Sequence, residues 1–206
     1  MKIDMHIHTM FSRDGSMSIS RITDILKKKG LDGFAVTDHN NIKAFSFIKK
    51  YKGDMKIIRG CEIKTKKGEI LAYFINEEIV SKDVREVIRE IRKQDGIVSI
   101  PHPFDIFRKS AMKTHVWKII RLVDAIEVFN SRCLLNRFNL LALKVAKRYN
   151  LGLTAGSDAH FAYEVGSAGI IAEGDIKDAI LNRTNQIFFK RINPEAHILT
   201  AVKKII

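Results

Sequence analysis

Short apolar runs alternate with segments of helical periodicity along this 206-residue chain, the pattern of an α/β domain. Lys2 to His8 predicts a first strand. Ile19, Ile22, Ile25 and Leu26 then fall at helical spacing, predicting a helix from about Ser18 to Lys29 with Gly30 at its C-cap. Gly33 to Thr37 predicts a strand that carries Asp38 and His39 at its end, and Phe45 to Tyr51 a short helix. Lys56 to Lys64 and Glu69 to Asn76 read as two strands joined by a turn at Lys66-Lys67-Gly68. Lys82 to Gln94 predicts a helix with Ser81 as N-cap and Val84, Val87, Ile88 and Ile91 as its buried stripe. There follow a strand at Ile97 to Ile100, a helix near Met112 to Leu122 with Trp117 in the core, and a strand at Ala125 to Phe129. A helix at Leu134 to Tyr149 then leads to a strand at Leu153 to Ala155. Late strands are expected at Gly166 to Ala172 and Gln186 to Ile192, with a helix between them from about Asp175. A last helix opens at Asn193-Pro194.

No linker, repeat or low-complexity segment interrupts this alternation, so residues 1–206 are expected to form one domain. Ligand-type residues recur where the strands end. They are Asp4-Met5-His6-Ile7-His8, Asp38-His39, Glu62 after Ile57-Ile58-Arg59-Gly60-Cys61, His102 between Pro101 and Pro103, and Asp158-Ala159-His160. In a barrel of parallel strands those ends form the active-site rim. Alternation places Asp4, His6 and His8 on one strand face and Ile3, Met5 and Ile7 on the other. Two imidazoles one pleat apart can share a divalent ion, and the Asp4 carboxylate can orient a histidine from behind. Glu62 can bridge two ions. His102, stiffened by its prolines, reads as an extended, preorganised ligand. Imidazoles and carboxylates gathered at several strand ends suit a multinuclear metal site better than a plain core. His115 and His197 belong to no such group and read as structural or exposed.

In order along the chain stand Asp4-x-His6-x-His8-Thr9, Ser12-x-Asp14-Gly15, Thr37-Asp38-His39-Asn40, Gly60-x-Glu62, Pro101-His102-Pro103 and Gly156-Ser157-Asp158-Ala159-His160. This set closely resembles the PHP family, the polymerase and histidinol phosphatase domain. The resemblance implies a distorted (β/α)7 barrel that hydrolyses phosphate esters with a metal-activated hydroxide. Carried over position by position, it implies His6, His8, Glu62 and Asp158 on a first metal. Glu62 would bridge to a second metal with His102, and Asp14, His39 and His160 would hold a third. The sequence departs from the pattern after the His102 strand, where a further His or Cys ligand is usual. Glu127 or Asn130 stands in that segment, which leaves the count at two or three divalent ions, with Mn, Zn or Fe as candidates. Asp14 is a carboxylate where some members have histidine, which favours harder ions such as manganese. Asp158, His160 and Arg132 are the expected catalytic groups: Asp158 passing a proton, and Arg132 with Asn130 contacting phosphate. Arg108 and Lys109, which follow Pro103-Phe104-Asp105-Ile106-Phe107, read either as a solvated loop or as a mobile cationic flap.

Composition narrows the substrate. Lys and Arg outnumber Asp and Glu by 36 to 23, a net charge of +13 that favours a phosphorylated partner, a nucleotide or nucleic acid among them. Part of that charge falls where helices should end, as cations suit the helix dipole. Phosphodiesters of nucleotides or oligonucleotides, cleaved exonucleolytically, are the first expectation. A small-molecule phosphomonoesterase of the histidinol-phosphatase type, a carbonyl-directed hydrolase or a non-catalytic metal-binding module are the alternatives. No apolar run reaches the length of a membrane span, and Asp4 and His6 stand where a signal peptide would be apolar. Cys61 and Cys133 lack zinc-ribbon spacing and fit core positions in a reduced, cytoplasmic protein.

Overall fold

The computed structural model describes residues 1–51 and 53–190. Strands β1 (Lys2–Ile7), β2 (Gly33–Val36) and β3 (Lys56–Thr65) lie side by side in parallel. The two residues Lys66 and Lys67 then turn the chain into β4 (Gly68–Tyr73), which runs antiparallel to β3. Strand β5 (Ile97–Ile100) is antiparallel to β4, and β6 (Ala125–Asn130) and β7 (Gly152–Gly156) continue in parallel. β8 (Ala168–Ile171) runs antiparallel beside β1, and β9 (Gln186–Phe189) beside β8. The sheet order is β7-β6-β5-β4-β3-β2-β1-β8-β9. Just past β7, the Asp158 amide donates to His6 O at 2.8 Å and the His8 amide to Ala159 O at 3.0 Å. These bonds bring β7 against β1 and nearly close the sheet into a barrel. The fold is the expected distorted barrel. Its distortion lies at β4, where a two-residue hairpin leaves no room for the crossover that parallel strands need.

The helices cover the outside. Helix α1 (Ile19–Lys28) buries Ile19, Ile22 and Leu26, and the Ser18 hydroxyl caps it by accepting from Arg21 N. A short α2 (Phe45–Ile48) follows. In α3 (Val84–Lys93) the buried stripe is the expected one, but the cap is Asp83, whose carboxylate accepts from both Arg85 N and Glu86 N. Ser81 instead accepts from Asp83 N, one step upstream. The expected helix near Met112 to Leu122 is broken: α4 (Val116–Ile119) sits between two 3₁₀ turns. Trp117 on it is 50% exposed rather than core, with one flank against Phe104 and Tyr149. Helices α5 (Asn136–Tyr149) and α6 (Ile176–Asn182) complete the described chain. The expected helix at Asn193-Pro194 lies outside the described residues, as does His197. Among the described residues no helix is long and apolar enough to cross a membrane.

The barrel interior holds Ile3, Met5, Leu71, Tyr73 and Ala155 in one apolar cluster, whereas Ile7 packs outward with Ile22, Leu26 and Phe34. The alternation along β1 therefore changes phase, and the register with β2 shifts between Asp4 and Ile7. A bulge of this kind re-aims side chains, and it leaves His6 and His8 pointing into the mouth of the barrel.

Candidate metal centre

All eight residues expected as ligands converge at the C-terminal ends of the strands. Glu62, at the parallel end of β3, is their hub. Its buried Oε2 makes no hydrogen bond, yet lies 3.4 Å from His6 Nε2, 3.3 Å from His8 Nε2 and 3.2 Å from His39 Nδ1. His6 Nε2 and His8 Nε2 are themselves 3.2 Å apart, and Asp158 Oδ1 is 3.3 Å from His8 Nε2 and 3.7 Å from His6 Nε2. Ligands about 2.1 Å from one ion stand roughly 3.0–3.4 Å from each other in octahedral or tetrahedral shells. The atoms of His6, His8 and Glu62 match that spacing, and His6, His8 and Asp158 form a compact ligand group whose His6–Asp158 separation, 3.7 Å, is slightly longer. Asp158 Oδ1 and His160 Nε2 are also buried without a hydrogen bond, so three such atoms belong to this centre. Unpaired buried carboxylate oxygens are costly in a plain core, and a bound cation is the usual remedy. The residues present fit divalent ions.

Two further groups flank this one. His160 Nε2 lies 3.2 Å from Asp14 Oδ2, and His39 Nε2 3.7 Å from the same oxygen. His102 Nε2 lies 2.9 Å from Glu62 Oε1 and 3.7 Å from Glu69 Oε2. Glu69 was absent from the expected set. It arrives from β4 in place of a ligand after the His102 strand, and it forms a metal-type group with His39 and Glu62. The signal was in the hairpin: Glu69 pairs with Lys64, so it shares a sheet face with Glu62.

Glu127 and Asn130 are positioned behind the ligands. Glu127 Oε1 is 2.9 Å from His6 Nδ1, and Oε2 accepts from His102 N at 2.7 Å and from Asn130 Nδ2 at 3.0 Å. This holds the His6 ring with Nε2 toward Glu62, the carboxylate–histidine support common at metal sites. The role foreseen for Asp4 falls to Glu127, because the Asp4 carboxylate lies on the His6 amide rather than on its ring. Asp4 accepts instead from the amides of His6, Ser157 and Gly166, stitching β1 to β7. His102 is not extended: its φ is 27°, and its backbone N–H, donating to Glu127 Oε2, holds that left-handed turn ahead of Pro103. His115 is half-buried and outside the centre.

The family model of the PHP domain matches residues 4–191. The chain belongs to the PHP domain family. The uncharacterized protein MJ0417 of Methanocaldococcus jannaschii is 35% identical over 175 residues, covering 82% of this chain and 70% of that protein. The uncharacterized protein MJ1587 of the same organism is 35% identical over 144 residues, 64% of this chain and 82% of that one. Among solved structures, a two-domain protein of Bacteroides vulgatus, described as containing a predicted PHP-like metal-dependent phosphoesterase, matches with a TM-score of 0.77. Its identity is 22%, over 98% of this chain and 69% of that one. PsfC of Pseudomonas syringae matches with a TM-score of 0.70 at 18% identity, over 99% of this chain and 97% of that one. Both share the fold.

In this PHP domain Arg108 and Arg132 face inward. Arg108, expected on a loop or flap, places Nη1 2.6 Å from Asp158 Oδ2, an oxygen that also accepts from Asn130 Nδ2 at 3.2 Å. Burial would raise the Asp158 carboxyl, but Arg108 and then His6 hold it well below the carboxylate range, which makes it a weak base. Arg132 Nη1 lies 2.7 Å from His160 Nδ1. Burial works against charge on His6 and His39, yet carboxylates win at both: Asp158, Glu127 and Glu62 raise His6, while Glu62 and Asp14 carry His39 to about 9. Burial and the neighbouring His8 push His160 down to about 4. Burial and Glu62 raise the Glu69 carboxyl. The centre thus demands positive charge, for which protons and divalent ions compete. A cavity of about 760 Å³ opens over Asp14, His39 and His160, with Arg13, Lys64 and Phe161 in its wall.

Proposed function

We propose that this PHP domain hydrolyses phosphate esters at a centre of two or three divalent ions, with phosphodiesters of nucleotides or oligonucleotides as its substrates. The observation that carries the reading is Glu62 Oε2, a buried carboxylate oxygen with three imidazole nitrogens within 3.4 Å and no hydrogen bond. Family membership supports it. Ions held there would polarise a phosphoryl oxygen and acidify a water. His6, His8, Glu62 and Asp158 would hold one ion, Glu62 with His102 and Glu69 a second, and Asp14, His39 and His160 a third. The mixed imidazole and carboxylate donors suit Mn, Fe or Zn.

The protein's own groups do the rest. Glu127 orients His6, and Arg108 with Asn130 occupies Asp158 Oδ2, leaving Oδ1 for a metal. In that arrangement Asp158 serves as a ligand rather than a proton carrier. Arg13, Lys64 and Arg132 surround the mouth and favour an anionic ester, and a guanidinium can grip phosphate with two hydrogen bonds. Phe161 offers a nucleoside base a flat apolar surface. The test is hydrolysis by metal-stripped protein restored with Mn²⁺, offered an end-labelled oligonucleotide beside a panel of phosphomonoesters. Stepwise release of mononucleotides is expected, with Glu62→Gln at least about 100-fold slower. Phosphate released from monoesters alone would replace the diester reading with the phosphomonoesterase one. Equal activity in Glu62→Gln would overturn the centre itself.

A further inference from the structure

His160 Nδ1 sits between two groups that make opposite demands. The Asp158 backbone oxygen, which can only accept, is 2.8 Å away, and Arg132 Nη1, which can only donate, is 2.7 Å away. One ring nitrogen cannot serve both. It carries a proton and donates to the carbonyl, or it carries none and accepts from the guanidinium. A doubly protonated ring is incompatible with a seated Arg132, because two donors would then face each other at that distance. The ring is neutral and has two arrangements.

With Arg132 seated, the single ring proton is on Nε2. That nitrogen is 3.2 Å from Asp14 Oδ2 and has no lone pair to offer an ion. With the proton on Nδ1, Nε2 presents a lone pair beside Asp14 and His39, and Nδ1–H turns Arg132 away. We propose that Arg132 and a divalent ion compete for His160 through its two tautomers, so that ion binding beside Asp14 and His39 releases Arg132 to grip the substrate's phosphate. The proposal rests on the metal-centre reading above. The exchange is balanced: one proton leaves Nε2 to water and one is taken from water at Nδ1.

The structure provides a pivot for the released side chain. Glu164 Oε1 lies 3.6 Å from Arg132 Nε, while its other oxygen accepts from His160 N at 2.8 Å and Phe161 N at 3.0 Å. Glu164 is therefore fixed to the backbone at the centre's edge and can keep hold of Nε while the outer nitrogens swing. Arg132 already borders the cavity over His160, so the swing is short. Catalytic competence and phosphate affinity would then rise together, because a centre short of its ion keeps its arginine folded inward.

Nitrogen-15 NMR of the metal-free protein reads the tautomer directly. The His160 proton is expected on Nε2, moving to Nδ1 when Zn²⁺ is added or when Arg132→Met removes the guanidinium. Calorimetry should find Arg132→Met binding Zn²⁺ about tenfold tighter, since no charged hydrogen bond need be broken. The same variant, loaded with zinc, should bind inorganic phosphate about tenfold more weakly. Loss of a positive charge would by itself move both affinities in these directions, so the tautomer at Nδ1 is the deciding readout. A proton on Nδ1 in the metal-free protein would overturn the proposal, as would unchanged or weaker zinc binding in the variant. Should Arg132→Met fail to fold, the tautomer of the unsubstituted protein decides alone. Zinc failing to bind the unsubstituted protein would instead remove the metal-centre reading, a result distinct from the tautomer measurement.

Discussion

Glu62 illustrates how much a single side chain can reveal before and after folding. Its position at the end of an apolar run marked it as a ligand, but nothing along the chain said that its two oxygens would divide between His102 on one side and three imidazoles on the other. The same proximity sets the protonation of His39. Burial alone would lower its pKa, and the surrounding carboxylates raise it to about 9. A histidine whose folded pKa exceeds its ordinary 6.5 adds stability that is complete below pH 6.5 and fades as pH rises through 9. His6 is raised as well and acts with the same sign. Metal-free protein should therefore lose thermal stability between pH 6.5 and 9. Metal affinity should rise over that window, because the ion no longer has to expel a proton. His39→Gln should flatten the stability profile. Thermal melts and metal titrations across the window measure both trends, and a flat profile in the unsubstituted protein would contradict them.

Strands and turns position these side chains, and local sequence specifies the type of each element more fully than its phase. Strand and helix positions followed from periodicity, and the hairpin at Lys66-Lys67 was recognised from its turn residues. Two bulges were not visible. One, in β1, leaves the Asp4 carboxylate on the His6 amide rather than on its ring. The other, between Glu127 and Phe129 in β6, accompanies the placing of Glu127 behind His6. A bulge answers to how two strands must pack, and neither strand's own sequence records it. The contact of β7 with β1 shows the same dependence. A Cβ on Gly156 would stand 2.3 Å from His6 Cβ and 2.7 Å from His6 N, so the glycine lets the strands approach. Gly156→Ala should cost about 1–3 kcal/mol and weaken metal binding by displacing His6. Denaturant melts of the metal-free protein and calorimetry with Mn²⁺ test the two effects. Wild-type values in both would show that the seam tolerates a methyl group.

Across the whole molecule, the barrel brings acidic and imidazole groups from distant parts of the chain into one buried space that favours cations. Ions that bind only the folded form stabilise it by mass action, about 4 kcal/mol at a thousandfold excess over Kd. For a protein of this size that corresponds to a rise in Tm of roughly 8–16 °C. Adding Mn²⁺ to metal-stripped protein should produce such a rise, and calorimetric scans showing less than about 2 °C would argue against a high-affinity centre. The alternating apolar runs, the ligand-type residues at strand ends and the PHP signature were all written in the chain, because each depends on local periodicity or on short spacings. Glu69 as a ligand, Glu127 as the support of His6, the left-handed turn at His102 and the inward arginines were not. Each of these depends on which strand lies beside which, in what register and with what phase, and that is settled when β7 meets β1 and the barrel closes.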